Sequence, residues 1–235
     1  MYGRLVDHHG CVVFRYRRHL KPAFVFGNLD SKVARNQFRE YRDKAYLLDP
    51  FYAAFRARIT DGVVKLRDIG ADRFFRSVYY RQYYEKTGLG DEIGLFCWTG
   101  GRELIVLSLV RRSDAPLFRK AELADVRATV SATTAMIKLN ERMIATAAAK
   151  DATGPAMRRT HGNAAAAELF HLPSAPLTSR ERVVAEMILK GHSSLSMSLT
   201  LGISVETVKV HRRHLYRKLQ VTSQAELFAL AMQPG

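Results

Sequence analysis

The sequence predicts an α+β chain. An N-terminal antiparallel sheet carries packed helices, a long helix follows, and an all-helical part closes the chain. Three observations predict this. Glu92–Thr99 and Arg102–Arg111 are apolar runs joined by Gly100-Gly101, a strong hairpin signal. Leu123, Val130, Ile137 and Ile144 form one apolar column at heptad spacing. Val205, Val208, Leu215 and Leu219 recur at helical spacing near the C-terminus, with cations on another face of the same helix.

Taken in order, residues 11–18 (C-V-V-F-R-Y-R-R) and 22–27 (P-A-F-V-F-G) read as two strands, rich in β-branched and aromatic residues. A helical stretch is expected from Asp30 to about Asp43. Asp49 is a candidate N-cap, with Pro50 at the first position of a helix carrying Phe51, Ala54 and Phe55. Asp61-Gly62 marks a turn, and V-V-K-L-R-D-I a short strand or extended connection. Asp72 is expected to cap a helix holding Phe75, Tyr79, Tyr80, Tyr83 and Tyr84. Leu104–Leu109 is apolar at all but Ser108, which predicts a central strand covered on both faces. Pro116 opens a helix from about Leu117 to Ala149. Some 30 residues span roughly 45 Å, more than a small sheet can cover, so the column of Leu123, Val130, Ile137 and Ile144 is expected to pair two chains. Asn140 would set the register.

Composition narrows the partners. The chain has 235 residues, 47% hydrophobic, with a formal charge of +15 and a pI near 10.1, which points to an anionic partner. Eight cations and four carboxylates lie from Leu177 onward, against 29 and 18 before it, so the basic excess is not confined to the end of the chain. Cys11 and Cys97 lack metal-site spacing and are expected to be buried and reduced. No apolar run approaches the roughly 20 residues of a membrane helix, and Met1–Gly10 does not read as a secretory signal. The expectation is a cytoplasmic protein with no membrane partner. Zinc-protease spacing, a phosphate-binding glycine loop and a nucleophile elbow are all missing. No enzyme is expected, and neither catalytic residues, metal ligands nor a cofactor are assigned.

The densest signal is at the end. Ser193-Ser194 can cap a short helix, Leu195–Leu201; Gly202 allows a tight turn; Ser204 caps the next helix with Thr207 at its third position. Glu206, Lys209, Val210, Arg213 and Arg217 then form a second, mostly basic stripe rotated away from the apolar one. Helix, glycine turn and capped basic helix make a helix-turn-helix pattern, whose second helix suits the major groove of DNA.

L-T-S-R-E-R-V-V-A-E-M-I-L-K-G, followed by L-G-I-S-V-E-T-V-K-V-H-R-R-H-L-Y-R-K-L, resembles the LuxR-type DNA-binding domain over about the last 58 residues. The resemblance implies a four-helix domain that binds double-stranded DNA as a dimer. It places Lys209, Val210 and Arg213 toward base edges and Thr207, His211 and Arg217 nearer the phosphates. Two departures stand out. The first helix of the pair, S-S-L-S-M-S-L-T, is apolar and serine-rich, and Gln220 stands where a glycine commonly follows the recognition helix, at a cost of about 1 kcal/mol.

Residues 11–115 resemble the GAF/PAS-like sensor domains that precede LuxR-type readers, through L-L-D-P-F-Y, D-R-F-F-R-S-V-Y-Y and T-G-L-G-D-E-I-G-L-F. Tyr41, Tyr46 and Asp49-Pro50 are also similar to the tyrosine and Asp-Pro of autoinducer-binding domains. The upstream tryptophan of those domains is missing, because Trp98 is the sole one, and the spacing is shifted. Tyr46, Phe55, Tyr79, Tyr83, Phe96 and Trp98 are candidate lining residues for a small-molecule pocket; the bland reading makes them core.

The division expected is 1–115 sensor, 116–149 dimerisation helix, 150–175 linker with Gly154-Pro155, Arg158-Arg159 and Pro173, and 176–235 reader. The function expected is a dimeric, DNA-binding transcriptional regulator controlled at its N-terminal domain by a small molecule or a protein, with RNA polymerase as a candidate partner. The alternative is a constitutive DNA-binding adaptor whose N-terminal domain only dimerises or recruits.

Overall fold

A computed structural model describes residues 2–29, 41, 45–59, 62–100, 102–151 and 177–233. The expected helix from Asp30 to Asp43 and the linker motifs lie outside the described residues, apart from Tyr41.

Five strands form one antiparallel sheet in the order β2-β1-β5-β4-β3. They are β1 (Gly10–Arg17), β2 (Ala23–Gly27), β3 (Gly62–Lys65), β4 (Leu89–Thr99) and β5 (Glu103–Arg112). The α+β expectation holds, and β5 is central as its near-continuous apolar run requires. Pleating sorts the side chains. Val12 pairs Ser108, Phe14 pairs Val106 and Tyr16 pairs Leu104, while Glu92 pairs Val110 and Phe96 pairs Val106, so these residues share one face. Ile93, Leu95 and Leu109 point the other way, into a second core.

The first face is covered by aromatic side chains. α1 (Pro50–Arg56) starts as expected, with Pro50 at its first position and Asp49 accepting the Phe51 N–H. Phe51 lies edge-on to Phe96 with ring centroids 5.4 Å apart. Gly94 makes room for it: a Cβ there would come within 3.0 Å of the Phe51 ring. One helical turn, α2 (Leu66–Ile69), follows β3.

The helix expected after Asp72 is corrected. Residues 74–87 form a 3-10 turn (Phe74–Arg76), a π-helical turn (Tyr80–Tyr84) and a second 3-10 turn (Glu85–Thr87). Phe74 meets Tyr79, Tyr80 and Tyr84 at centroid distances of 5.9, 5.7 and 6.3 Å. A regular helix would spread those rings around its circumference, and clustering them is what the irregular backbone permits.

The second face carries α3 (Lys120–Ala128) and the start of α4 (Val130–Asp151). These replace the single expected helix. The interruption is Thr129, whose hydroxyl bonds the Val126 carbonyl at 2.7 Å and meets the Tyr2 hydroxyl at 3.1 Å, local bonding that competes with the helix ladder. Leu123 and Val126 are buried against the sheet. Asp91 fixes the entry to α3. It accepts the Phe118 N–H at 2.8 Å and pairs with Lys65 and Arg67. Arg111 bonds Glu122 at 2.8 Å, and with the Arg119 backbone N–H it holds that carboxyl down at about 2.

Candidate nucleic-acid interface and sensor cavity

Four helices close the chain: α5 (Ser179–Lys190), α6 (Ser194–Leu201), α7 (Val205–Lys218) and α8 (Gln224–Met232). Each begins at a side-chain cap. Thr178, Ser193, Ser204 and Ser223 accept the backbone N–H three residues on, satisfying donors that a helix start otherwise leaves open. The core is small and apolar: Val184, Met197, Val208, Leu215 and Leu227 are fully buried.

Glu181 is the one charged side chain buried there. Burial pushes its carboxyl up, but the Lys218 ammonium at 2.7 Å and the Thr178 N–H at 2.8 Å outweigh that and hold it at about 2. The pair ties the start of α5 to the end of α7. Arg180 caps α6 through the Leu201 carbonyl at 2.8 Å, and Arg212 reaches Ser194 Oγ at 3.0 Å. The sequence stripes did not single out Arg212 or Lys218. Neither sits within a recognisable spacing, so only the folded geometry assigns them.

α7 turns Val208 and Leu215 inward. Thr207, Lys209, Val210, Arg213 and Arg217 are exposed, and His211 is half-buried. Val210 is 41% exposed, which decides its side of the helix. Lys209 pairs loosely with Glu206 at 3.7 Å; both are open to solvent, so the pair is worth about 0–1 kcal/mol and an incoming phosphate displaces it easily. The result is a capped helix packed on the other three, with Lys209, Arg213 and Arg217 exposed on its outer side. Gln220 adopts φ 54°, the left-handed conformation expected at the departure from glycine.

Among the described residues the two folded parts meet where Asp72 and Arg73 face Gly191 and Ser193. Asp72 Oδ1 accepts the Ser193 N–H at 3.0 Å, and the Arg73 N–H donates to the Gly191 carbonyl at 3.0 Å. Gly191 has φ 90°, and a Cβ there would lie 3.0 Å from Arg73 O and from Ser77 Cβ. Asp72, expected to cap its own helix, therefore serves the start of α6. Burial raises its carboxyl, but bonds from Ser193 and the nearby His192 and Arg73 bring it below the usual range.

On the first face of the sheet lies a cavity of about 60 Å³, lined by Val12, Phe14, Tyr16, Tyr41, Asp49, Phe51, Tyr79, Tyr84, Thr87, Leu89, Glu92, Ser108 and Val110. Of the residues expected to line a pocket, Tyr79 does. Phe55, Phe96, Trp98 and Tyr46 belong to the aromatic core instead: Phe55 stacks on Trp98 at 5.6 Å, the Trp98 indole donates to the Ile59 carbonyl at 2.8 Å, and Tyr46 meets Tyr52 edge-on at 4.8 Å. The Tyr83 side chain lies outside the described residues. Asp49 accepts from Tyr41, and Glu92 accepts from Tyr84 at 2.8 Å. Burial pushes Asp49 up to about 6. Burial and the nearby Asp49 push Glu92 up to about 7. Glu92 and Ser108 were missed, although alternation along β4 sets Glu92 on the face of Phe96 and Trp98.

The expected dimer column divides. Leu123 is buried within the chain, and Val130 and Ile137 are half-buried. Ile144 is exposed, together with Met136, Leu139 and Met143. Cys11 and Cys97 form no disulfide. Among the described residues no helix is long and apolar enough to cross a membrane, and no cluster of His, Cys, Asp or Glu suits a metal ion.

A capped helix pair of this geometry defines a DNA-binding domain of the helix-turn-helix type. Residues 175–231 match the family of bacterial regulatory proteins described as the luxR family. A protein of Aeromonas salmonicida, described as an HTH-type transcriptional regulator from the exeN 3′ region, is 29% identical over 182 residues, covering 77% of this chain and 92% of that one. MctR of Rhizobium johnstonii is 40% identical over 62 residues, which cover 26% of this chain and 29% of MctR. The LBD domain of VqsR from Pseudomonas aeruginosa aligns with a TM-score of 0.51 at 21% identity, over 58% of this chain and 79% of that domain, and so shares the N-terminal fold. Residues 175–231 thus carry a DNA-binding domain of the luxR family, and the chain as a whole is similar to an HTH-type transcriptional regulator.

Proposed function

We propose that the chain binds double-stranded DNA as a homodimer and that a small molecule held in the N-terminal domain governs that binding. One observation carries the DNA reading: α7 buries Val208 and Leu215 while Thr207, Lys209, Val210, Arg213 and Arg217 stand open. Lys209, Val210 and Arg213 reach base edges in the major groove. Thr207, His211 and Arg217 engage phosphates and set the register.

The dimer reading rests on α4. Met136, Leu139, Met143 and Ile144 are each more than half exposed and recur at i, i+3, i+7 and i+8, a stripe that a second copy would cover. The seam is therefore shifted from the column of Leu123, Val130, Ile137 and Ile144, and the connecting segment 116–149 acts as two helices. The reader begins near residue 176. Light scattering of the full chain should give twice the monomer mass at micromolar concentration, and Met136→Asp with Met143→Asp should give the monomer. A wild-type monomer would sink the dimer.

The corner where Asp72 and Arg73 meet Ser193 and Gly191 supports control from the N-terminal domain, because it is a contact through which one domain biases the other. Gel shifts across salt concentrations test the whole reading. A salt-dependent, sequence-selective complex is expected. The small cavity and the filled aromatic core favour one rival, a constitutive adaptor. It predicts DNA binding that no small molecule alters.

A further inference from the structure

We infer that the sheet cavity binds a compact organic ammonium ion, an amine head on a small apolar body, held between Asp49 and Glu92. This inference rests on the proposal that the N-terminal domain binds a small molecule and specifies its chemistry.

The wall has an unusual balance. Two carboxyl groups, Asp49 and Glu92, face one cavity in a chain whose formal charge is +15. Among the described residues none of the lining side chains is Lys, Arg or His. Both carboxyls are fastened by the protein itself. Asp49 takes the Phe51 N–H at 2.8 Å and the Tyr41 hydroxyl; Glu92 takes the Tyr84 hydroxyl at 2.8 Å. Tyr41 and Tyr84 thus spend their protons on carboxylates, and the cavity is rich in acceptors. Elsewhere in this chain buried carboxyls are answered by cations, Glu181 by Lys218, Glu122 by Arg111, and Asp91 by Lys65 and Arg67. Here no cation among the described lining residues answers the pair, and burial pushes the two carboxyls up to about 6 and about 7. A bound ammonium donates two or three hydrogen bonds and supplies the missing countercharge.

The remaining walls fit the same class. Phe14, Tyr16 and Phe51 also line the cavity, and aromatic rings attract a desolvated cation. Val12, Leu89 and Val110 offer an apolar patch for the body of the ligand. A cavity of about 60 Å³ has room for about four or five water-sized groups. A long acyl chain exceeds it, and an anionic ligand would meet two carboxylates.

The test uses the full chain and two matched probe sets at pH 7.5. The amines are propylamine and butylamine. The controls are propanol, butanol and butyrate. Thermal shift and titration calorimetry should show saturable binding of at least one amine, at least tenfold tighter than its matched alcohol, and no binding of butyrate. Glu92→Gln, checked for fold by circular dichroism, should lose that tenfold preference. Equal binding of amine and alcohol, or a preference unchanged in Glu92→Gln, would overturn the ammonium assignment. If neutral compounds from a broad library still raise the melting temperature, sensing survives and the ligand class is wrong. If nothing binds, both fall.

Discussion

The two domains treat a buried carboxyl in opposite ways. In the reader, Glu181 meets Lys218 at 2.7 Å and is held at about 2. In the N-terminal domain, Asp49 and Glu92 share a cavity with tyrosines and are pushed up to about 6 and 7. The reader is a finished frame, with its one internal charge balanced and its free cations directed outward. The sheet domain keeps an unbalanced interior, which suits an occupant more than a frame.

The largest test strikes the frame. Glu181→Ala leaves Lys218 facing an apolar gap and strips the cap of Thr178, and should destabilise the reader by about 3–4 kcal/mol, read by urea unfolding at pH 7. Its carboxyl is depressed, so the stability it supplies is complete above about pH 4.5 and drains away toward pH 2. A wild-type urea midpoint in the variant would remove this side of the comparison.

Next comes the outward face. Arg213→Ala should weaken binding to the preferred sequence by about 1–3 kcal/mol and leave nonspecific binding nearly intact, whereas Arg217→Ala should weaken binding to all sequences and flatten the salt slope by about one. Identical behaviour of the two variants would show that the division between bases and phosphates is misplaced.

Glu92→Gln inverts the first test. Because the folded carboxyl is raised from 4.5 to about 7, ionising it costs stability as pH climbs through that interval. The amide should gain about 1–2 kcal/mol at pH 8 relative to wild type and almost nothing at pH 4, after allowance for partial exposure. A gain that is the same at both pH values would show that the cavity carries no unbalanced charge. The smallest effect is at Gln220, where glycine should relieve the left-handed backbone and add about 0.5–1 kcal/mol.

The reader was largely legible because its signals are local. Ser193, Ser204, Gly202 and the valine-leucine stripe each act within a few residues, and all stand where the sequence places them. The hairpin and the central strand were legible for the same reason, through Gly100-Gly101 and an apolar run. The cavity was not. Alternation assigns Glu92 a face, but only the pairing of β1, β4 and β5 brings it near Asp49, which the sequence marks simply as a helix cap. Asp72 illustrates a second limit. Its type and position fit a local cap, and a more favourable acceptor role lay 121 residues away at Ser193. Thr129 illustrates a third, since heptad spacing cannot register a threonine that bonds its own preceding turn.

An amide has one proton to give. While Asp72 receives that of Ser193, at the mouth of the first helix of the DNA-reading pair, no outside acceptor can take it. Engagement of that corner by any other group is thus mutually exclusive with its attachment to the sheet domain, and whatever parts the two must leave water, or a newcomer, to satisfy the vacated donor.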